Sequence, residues 1–324
     1  MDTTRAGTAE PPAAPDPYVS RTPEDVLAAV PLVLGFEPAE SVVMLTFGAP
    51  RPFHARVDLP RLPGDLVELV EVLREPALRH GVARVLLVGY DPDGPWTAEV
   101  LRTVAAGMES AGIEVVACLR ADRGRWWPVG PVAAPSERGP GTAYDAAAHR
   151  FRARSVVEGR VTLPDRAALA AGLAPHPGGP DPDLVDALAR AVPPSVRRVD
   201  ALVGLLLRSG ERPDDDQVAA LLLAAAEGRL REPVQRRLTR ASAPGLVDLW
   251  SEVVRRAPDD RVADAAGLLA LCAWVSGHGA LAWCAVDRAR EVVPDHGLAG
   301  MVATLLQAAV PPQEWETLLC RLAG

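Results

Sequence analysis

One pair of segments constrains this chain more than any other feature. VLLVGY, residues 85–90, is an almost unbroken apolar run, as expected of a strand covered on both faces. IEVVACL, residues 113–119, reads as a second strand. Between them, residues 95–112 place Val100, Val104 and Met108 on one helical stripe. A strand, a helix and a strand so spaced form a βαβ unit, and the twist of the strands makes it a right-handed crossover between parallel neighbours.

The segments around this unit extend it into a layered half. SVVMLTF, residues 41–47, is β-branched and apolar, and PFHARVDLP alternates so that Phe53, Ala55 and Val57 face one way and His54, Arg56 and Asp58 the other. Gly48-Ala49-Pro50-Arg51 joins the two as a turn, giving a hairpin. Thr22 reads as the cap of a short helix that begins at Pro23 and ends near Val30. Residues 64–73 form a helix that Pro76 ends or kinks, and Arg125-Trp126-Trp127-Pro128-Val129 is one more short strand.

Helices are expected at residues 143–158 and 165–171, followed by the breaker-rich APHPGGPDPD. Beyond it the readings are all helical: 184–191, 196–207, 216–226, 233–240, 245–256, 261–275, 279–292, 297–309 and 312–322. The expected fold is an α/β N-terminal domain with a mixed sheet, βαβ crossover plus hairpin, followed by an all-α C-terminal helical domain. The expected divisions are a disordered tail over 1–19, an α/β domain over 20–172, a Pro/Gly-rich linker over 173–183 and a helical domain over 184–324. Within the last, Leu269, Ala270, Ala273, Ala282, Val286, Ala289 and Pro294 fall on the packing positions of a tetratricopeptide unit. Ala266 stands where that unit has tryptophan and adjoining copies are not found, so the segment reads as a helical hairpin of that packing style.

A length of 324 residues suits two such domains. The net charge of −8 argues against nucleic acid as a partner. All 34 basic side chains are arginine; lysine is absent. Phosphate-binding P-loops, Schiff-base chemistry and serine-lysine hydrolysis all need a lysine, and arginine does not give up its proton to replace one. Cys118, Cys272, Cys284 and Cys320 have no CxxC spacing and sit in apolar segments, the pattern of buried reduced thiols in a cytoplasmic protein. No secretion signal is read at the N-terminus. The uncharged run 265–286 is interrupted by Ser276-Gly277-His278-Gly279, so it reads as two buried helices and no membrane span.

VPLVLGFEPAESVVML with ARVDLP after it, RWWPV, VVEGRVTLPDRAALAAGLAP and CAWVSGHGALAWCAVDRA occur in that order between about residues 22 and 322. Together they resemble an actinobacterial family catalogued as domain of unknown function 4192. The resemblance implies a high-GC bacterial, non-secreted setting and carries over no activity and no catalytic residue.

Candidate site residues gather at four places. The turn after Gly35 brings Glu37, Glu40 and Ser41 to a strand entrance, where they contact a ligand or simply redirect the chain. His54, Arg56 and Asp58 share a strand face; in a cleft Arg56 would hold an anion and Asp58 orient it, while on an exposed edge the same charges deter aggregation. Asp91 and Asp93 follow a buried strand, where open α/β sheets bind ligands, and Asp93 also suits a helix cap. Arg125 and Trp126, with Trp127, make either an anion-and-aromatic platform or part of the core.

Other patterns carry less. GHGALA at 277–282 satisfies a dinucleotide-binding spacing but follows a helix instead of a strand. His278, Cys272 and Cys284 fit no common zinc spacing. The arginines at 150, 152 and 154, and at 229, 231, 236, 237 and 240, read as solvated helix faces. No cofactor or metal is implied. The expected role is a cytoplasmic binding or regulatory module with an unknown protein or small-molecule partner. The alternative is an enzyme holding a small anionic substrate at the domain junction, lined by Arg56, Asp58, Asp91 and Trp126.

Overall fold

The structure is a computed structural model that describes residues 20–50, 53–157, 162–175, 178–179, 181–228, 230–315 and 317. The tail expected over 1–19, Arg51 of the expected turn, Arg229, Cys320 and most of the helix expected after Pro312 lie outside these residues.

Six strands form one mixed sheet in the order β2-β1-β3-β4-β5-β6: β1 Ser41–Phe47, β2 His54–Asp58, β3 Arg84–Tyr90, β4 Glu114–Asp122, β5 Arg125–Pro128 and β6 Thr142–Ala143. Every neighbouring pair is antiparallel except β3 and β4, the parallel pair that the crossover requires. Helix α1, Pro23–Leu34, lies on one face, where Val26, Leu27 and Val30 pack with Val43, Leu45, Leu86, Val88 and Leu119. Helices α2, Leu66–Arg79, and α3, Gly94–Ser110, cover the other face against Val42, Met44, Val85 and Leu87. Phe53, Ala55 and Val57 pack with this second group, as the alternation of β2 requires. Gly89 lets α3 approach β3 closely, since a Cβ there would lie 2.5 Å from Thr97 Cγ2.

The remaining helices are α4 Arg150–Val157, α5 Arg166–Ala171, α6 Pro182–Arg190, α7 Val196–Ser209, α8 Asp215–Ala226, α9 Arg231–Arg237, α10 Ala243–Arg256, α11 Val262–Val275, α12 Gly279–Val292 and α13 Gly297–Gln307. Every residue of α11 except Asp264 is buried, which suits a helix apolar on all sides and packed by α8, α10, α12 and α13. The expected hairpin is α11 and α12, and no described helix is long and apolar enough to cross a membrane. Leu169 of α5 and Leu173 after it pack into this helical core.

Three expectations need correction. The first helix does not stop near Val30; it continues through Pro31 to Leu34, where Gly35 in a left-handed conformation donates its N–H to the Pro31 carbonyl at 2.8 Å. An interior proline costs about 3 kcal/mol, and burial of apolar side chains at about 1.5–3 kcal/mol each offsets it. Of the two readings at Pro76 it is the ending that is corrected: by the same balance α2 runs on through Pro76 to Arg79. The third correction concerns residues 143–158: Thr142 and Ala143 form β6 against β5, and the helix starts only at Arg150. Gly141, with φ +70°, packs against the Trp127 indole, where a Cβ would stand 2.4 Å from Cε2, and the Asp145 carboxylate then accepts the N–H groups of Ala147 and Ala148 in a local turn.

The turn that follows α1 is stitched to a distant segment. Phe36 bridges Leu163 in parallel, Glu37 donates its N–H to Leu163 O at 3.0 Å, and Leu163 donates to Gly35 O at 2.9 Å. Among the described residues, no strand pairing occurs beyond this bridge. The two halves also touch where Arg79 and His80, at the end of α2, reach the Ala308 carbonyl after α13 at 3.3 and 3.1 Å.

Candidate functional site at the carboxyl edge of the sheet

The strand registers align one residue from each strand: Asp58, Ser41, Tyr90, Ala121, Trp126 and Thr142. Partners directly across a ladder share a face, so all six lie on the face that carries α1. Tyr90 ends β3, and the row therefore marks the carboxyl end of the parallel pair, where open α/β sheets hold ligands.

Here the sheet buries polar groups that no other described protein group satisfies. Among the described residues, seven buried side-chain nitrogen or oxygen atoms have no hydrogen-bond partner. Four of these lie in or beside the row: Ser41 Oγ, Tyr90 OH, Asp91 Oδ2 and Arg56 Nε. Such atoms are rare in native proteins because each forfeits hydration worth about 1–3 kcal/mol. Their concentration at one strand end distinguishes this edge from the rest of the molecule.

The individual geometries sort the candidate residues. Ser41 is fully buried. Glu40 adopts φ +44°, ion-pairs with Arg61 and accepts the Leu59 N–H on its carbonyl at 2.8 Å. Arg56 is engaged by the Asp58 carboxylate and, at 3.1 Å, by the Ala39 carbonyl, while Asp58 itself is 80% exposed. His54 is exposed on the outermost strand, and the protein packed around its ring lowers its pKa. Asp91 is buried; its Oδ1 accepts the Asp93 N–H at 2.7 Å and its Oδ2 stands 4.0 Å from Arg61. Asp93 caps α3 by accepting the Trp96 N–H at 3.2 Å. With Pro95 as the second residue of the helix, that helix end offers few free N–H groups to an anion.

Arg125 and Trp126 do not form an open platform. Arg125 donates to the carbonyls of Pro140 and Gly141 at 2.9 and 3.2 Å, and Trp126 donates from its indole to Glu24 at 3.0 Å. The structure thus sets Ser41 beside Asp58, with Trp126 in the same row three strands away and Asp91 just past Tyr90, and assigns Asp93 and Arg125 to structural bonds.

Sequence reasoning missed Tyr90, Tyr144 and Arg120. Burial, then the charges of Tyr144 and Glu37, push the Tyr90 hydroxyl well above its ordinary value, so it stays protonated. Tyr144 is pushed up to about 12 by burial, then by Glu37 and Asp122. On the opposite face the Arg120 guanidinium lies 3.8 Å over Trp127 and against Gly94, where a Cβ would stand 1.9 Å from its Nη1. The signal for Tyr90 was present: it is the polar ring that closes an apolar run. Tyr144 and Arg120 carry no comparable mark.

Asp25 anchors α1 over this face. Its carboxylate accepts from the N–H groups of Arg21 and Thr22 at 2.8 and 3.2 Å, and bonds His149 and Arg150 at 3.1 and 3.0 Å. Those contacts, the Arg21 N–H foremost, hold its pKa below the usual carboxylate value despite burial. No group of three or more His, Cys, Asp or Glu side chains is placed to hold a metal among the described residues. A cleft of about 470 Å³ in the helical half, between α7 and α10, is walled by Arg212, Glu252 and Arg255. It lacks unsatisfied groups like those of the sheet edge, and Arg255 is ion-paired with Glu252.

Residues 23–313 match a family model described as a domain of unknown function, DUF4192. No curated protein and no solved structure matches the chain.

Proposed function

Because the chain belongs to the DUF4192 family, whose description assigns no activity, the site itself must supply the reading, and we propose that this is a small-molecule-binding module. The ligand sits at the carboxyl edge of β3 and is held by hydrogen bonds. The observation that carries this is that Ser41 Oγ, Tyr90 OH and Asp91 Oδ2, three buried atoms of residues at this strand end, have no hydrogen-bond partner among the described residues and so support pairing with a polar ligand.

Binding is favoured over turnover for specific reasons. Ser41 lacks a hydrogen-bonded base, which a serine nucleophile needs. The Arg56 fork is engaged within the protein and Asp58 is open to solvent, so neither supports the anionic-substrate enzyme expected as the alternative. The free thiols of Cys118, Cys272 and Cys284 support a cytoplasmic setting.

Thermal-shift titration with a panel of sugars, polyols, amino acids and nucleosides tests the reading. A compound that raises Tm for the native chain and loses its effect in Tyr90→Phe and Ser41→Ala supports it. If no compound shifts the native chain while both substitutions destabilise it, the hydroxyls serve the fold and the proposal fails.

A further inference from the structure

β2 forms one edge of the sheet, and among the described residues no strand lies outside it. The direction of its free backbone groups follows from one bond: Leu59, continuing the strand, donates its N–H to Glu40 O at 2.8 Å. Thr46 Oγ1 likewise bonds both the N–H and the carbonyl of Phe53. Odd-numbered residues therefore turn their main-chain groups toward β1. By the alternation of an antiparallel ladder, His54, Arg56 and Asp58 turn theirs outward.

The strand is self-complementary about Arg56. Antiparallel pairing of two copies centred there puts His54 opposite Asp58 twice, on the α1 face. On the other face it sets Ala55 opposite Val57, both half-buried in the single chain. The one like-charged pair is Arg56 with Arg56, and each of these is already neutralised by its own Asp58. Charges on an edge strand deter pairing when like charges meet; here the pattern sets the His54 imidazole, a hydrogen-bond donor, against the Asp58 carboxylate. The far edge offers no equivalent, since β6 has only two residues.

We infer that β2 is a homodimer interface, in which two copies of this chain join edge to edge across a twofold axis through Arg56. The arrangement is isologous, as a closed twofold dimer requires, and forms about six main-chain hydrogen bonds. It continues the sheet from one copy into the next and places His54 of the second copy beside Asp58, at the outer end of the row that contains Ser41 and Tyr90. The inference stands on the edge geometry and is independent of whether that row binds a ligand.

Light scattering coupled to size-exclusion chromatography, on the full chain, tests it. The native protein is expected at twice the 34.2 kDa chain mass. His54→Asp, an exposed substitution that sets two carboxylates face to face, weakens the dimer tenfold or more, and adding Asp58→His restores it. Arg56→Pro removes one outward N–H that β1 does not use and yields the monomer. A native chain that stays at 34.2 kDa up to about 100 μM overturns the inference. So does a His54→Asp dimer as tight as the native one.

Discussion

The α1 face of the sheet and the core around α11 bury side chains in opposite ways. Around α11, leucine, valine and alanine fill the interior, and among the described residues of the helices packed there the buried side-chain atoms without a hydrogen-bond partner are the Trp250 indole nitrogen and Arg288 Nε. At the carboxyl edge of β3, Ser41 and Tyr90 bury hydroxyls that no described protein group satisfies, and Asp91 keeps one carboxylate oxygen without a hydrogen bond, 4.0 Å from Arg61. Apolar burial stabilises in proportion to area, whereas buried polar atoms without partners oppose folding. The helical core thus supports the fold, and the sheet edge carries a structural penalty of the sort expected at a binding site.

Substitutions that act in opposite directions sharpen this contrast. The largest effect is expected in the helical core: Trp250→Ala removes a fully buried indole and lowers unfolding free energy by about 3–5 kcal/mol, read by urea denaturation. An increment under about 1 kcal/mol would mean that this core is loosely packed.

Next comes Gly94→Ala. Its Cβ would displace Arg120 from the Trp127 face, and the expected loss is about 1–3 kcal/mol with a change in tryptophan fluorescence.

Asp25→Ala removes the acceptor of α1's capping box and costs about 1 kcal/mol. Its pH signature has a definite sign. The folded-state pKa is lowered, so the Asp25 contribution is complete above about pH 4, the unfolded carboxyl value, and is lost as pH falls through the lower folded value. The difference in stability between native chain and Asp25→Ala should narrow on acidification below about pH 4. A constant difference would remove the carboxylate from the account.

The smallest effects carry the most information. Tyr90→Phe and Ser41→Ala each delete a buried hydroxyl that has no partner, and are expected to leave stability unchanged or raise it by up to about 1 kcal/mol. A loss of about 2 kcal/mol or more from either would show that its hydroxyl is satisfied in the folded protein, and would erase the difference between the two regions.

Much of this architecture was legible in the residues. VLLVGY and IEVVACL identify the parallel pair, because a doubly covered strand has no polar alternation to hide. Period-two alternation placed Phe53, Ala55 and Val57 against α2 and α3, and His54, Arg56 and Asp58 on the other side. Where reading failed, nonlocal burial had overridden local preference: Pro31 and Pro76 sit inside helices held by their apolar faces, and Gly141 against Trp127 keeps residues 142–143 extended.

The sequence by itself determined the β1–β2 hairpin and the β3–β4 crossover pair, which faces are apolar, and that the second half is helical, since each follows from a local period of hydrophobicity. Only the tertiary structure decided that Asp58, Ser41, Tyr90 and Trp126 stand in one row, and which of their polar atoms find partners. Strand order and hydrogen-bond satisfaction depend on contacts between residues far apart in the chain, and no local pattern encodes those distances.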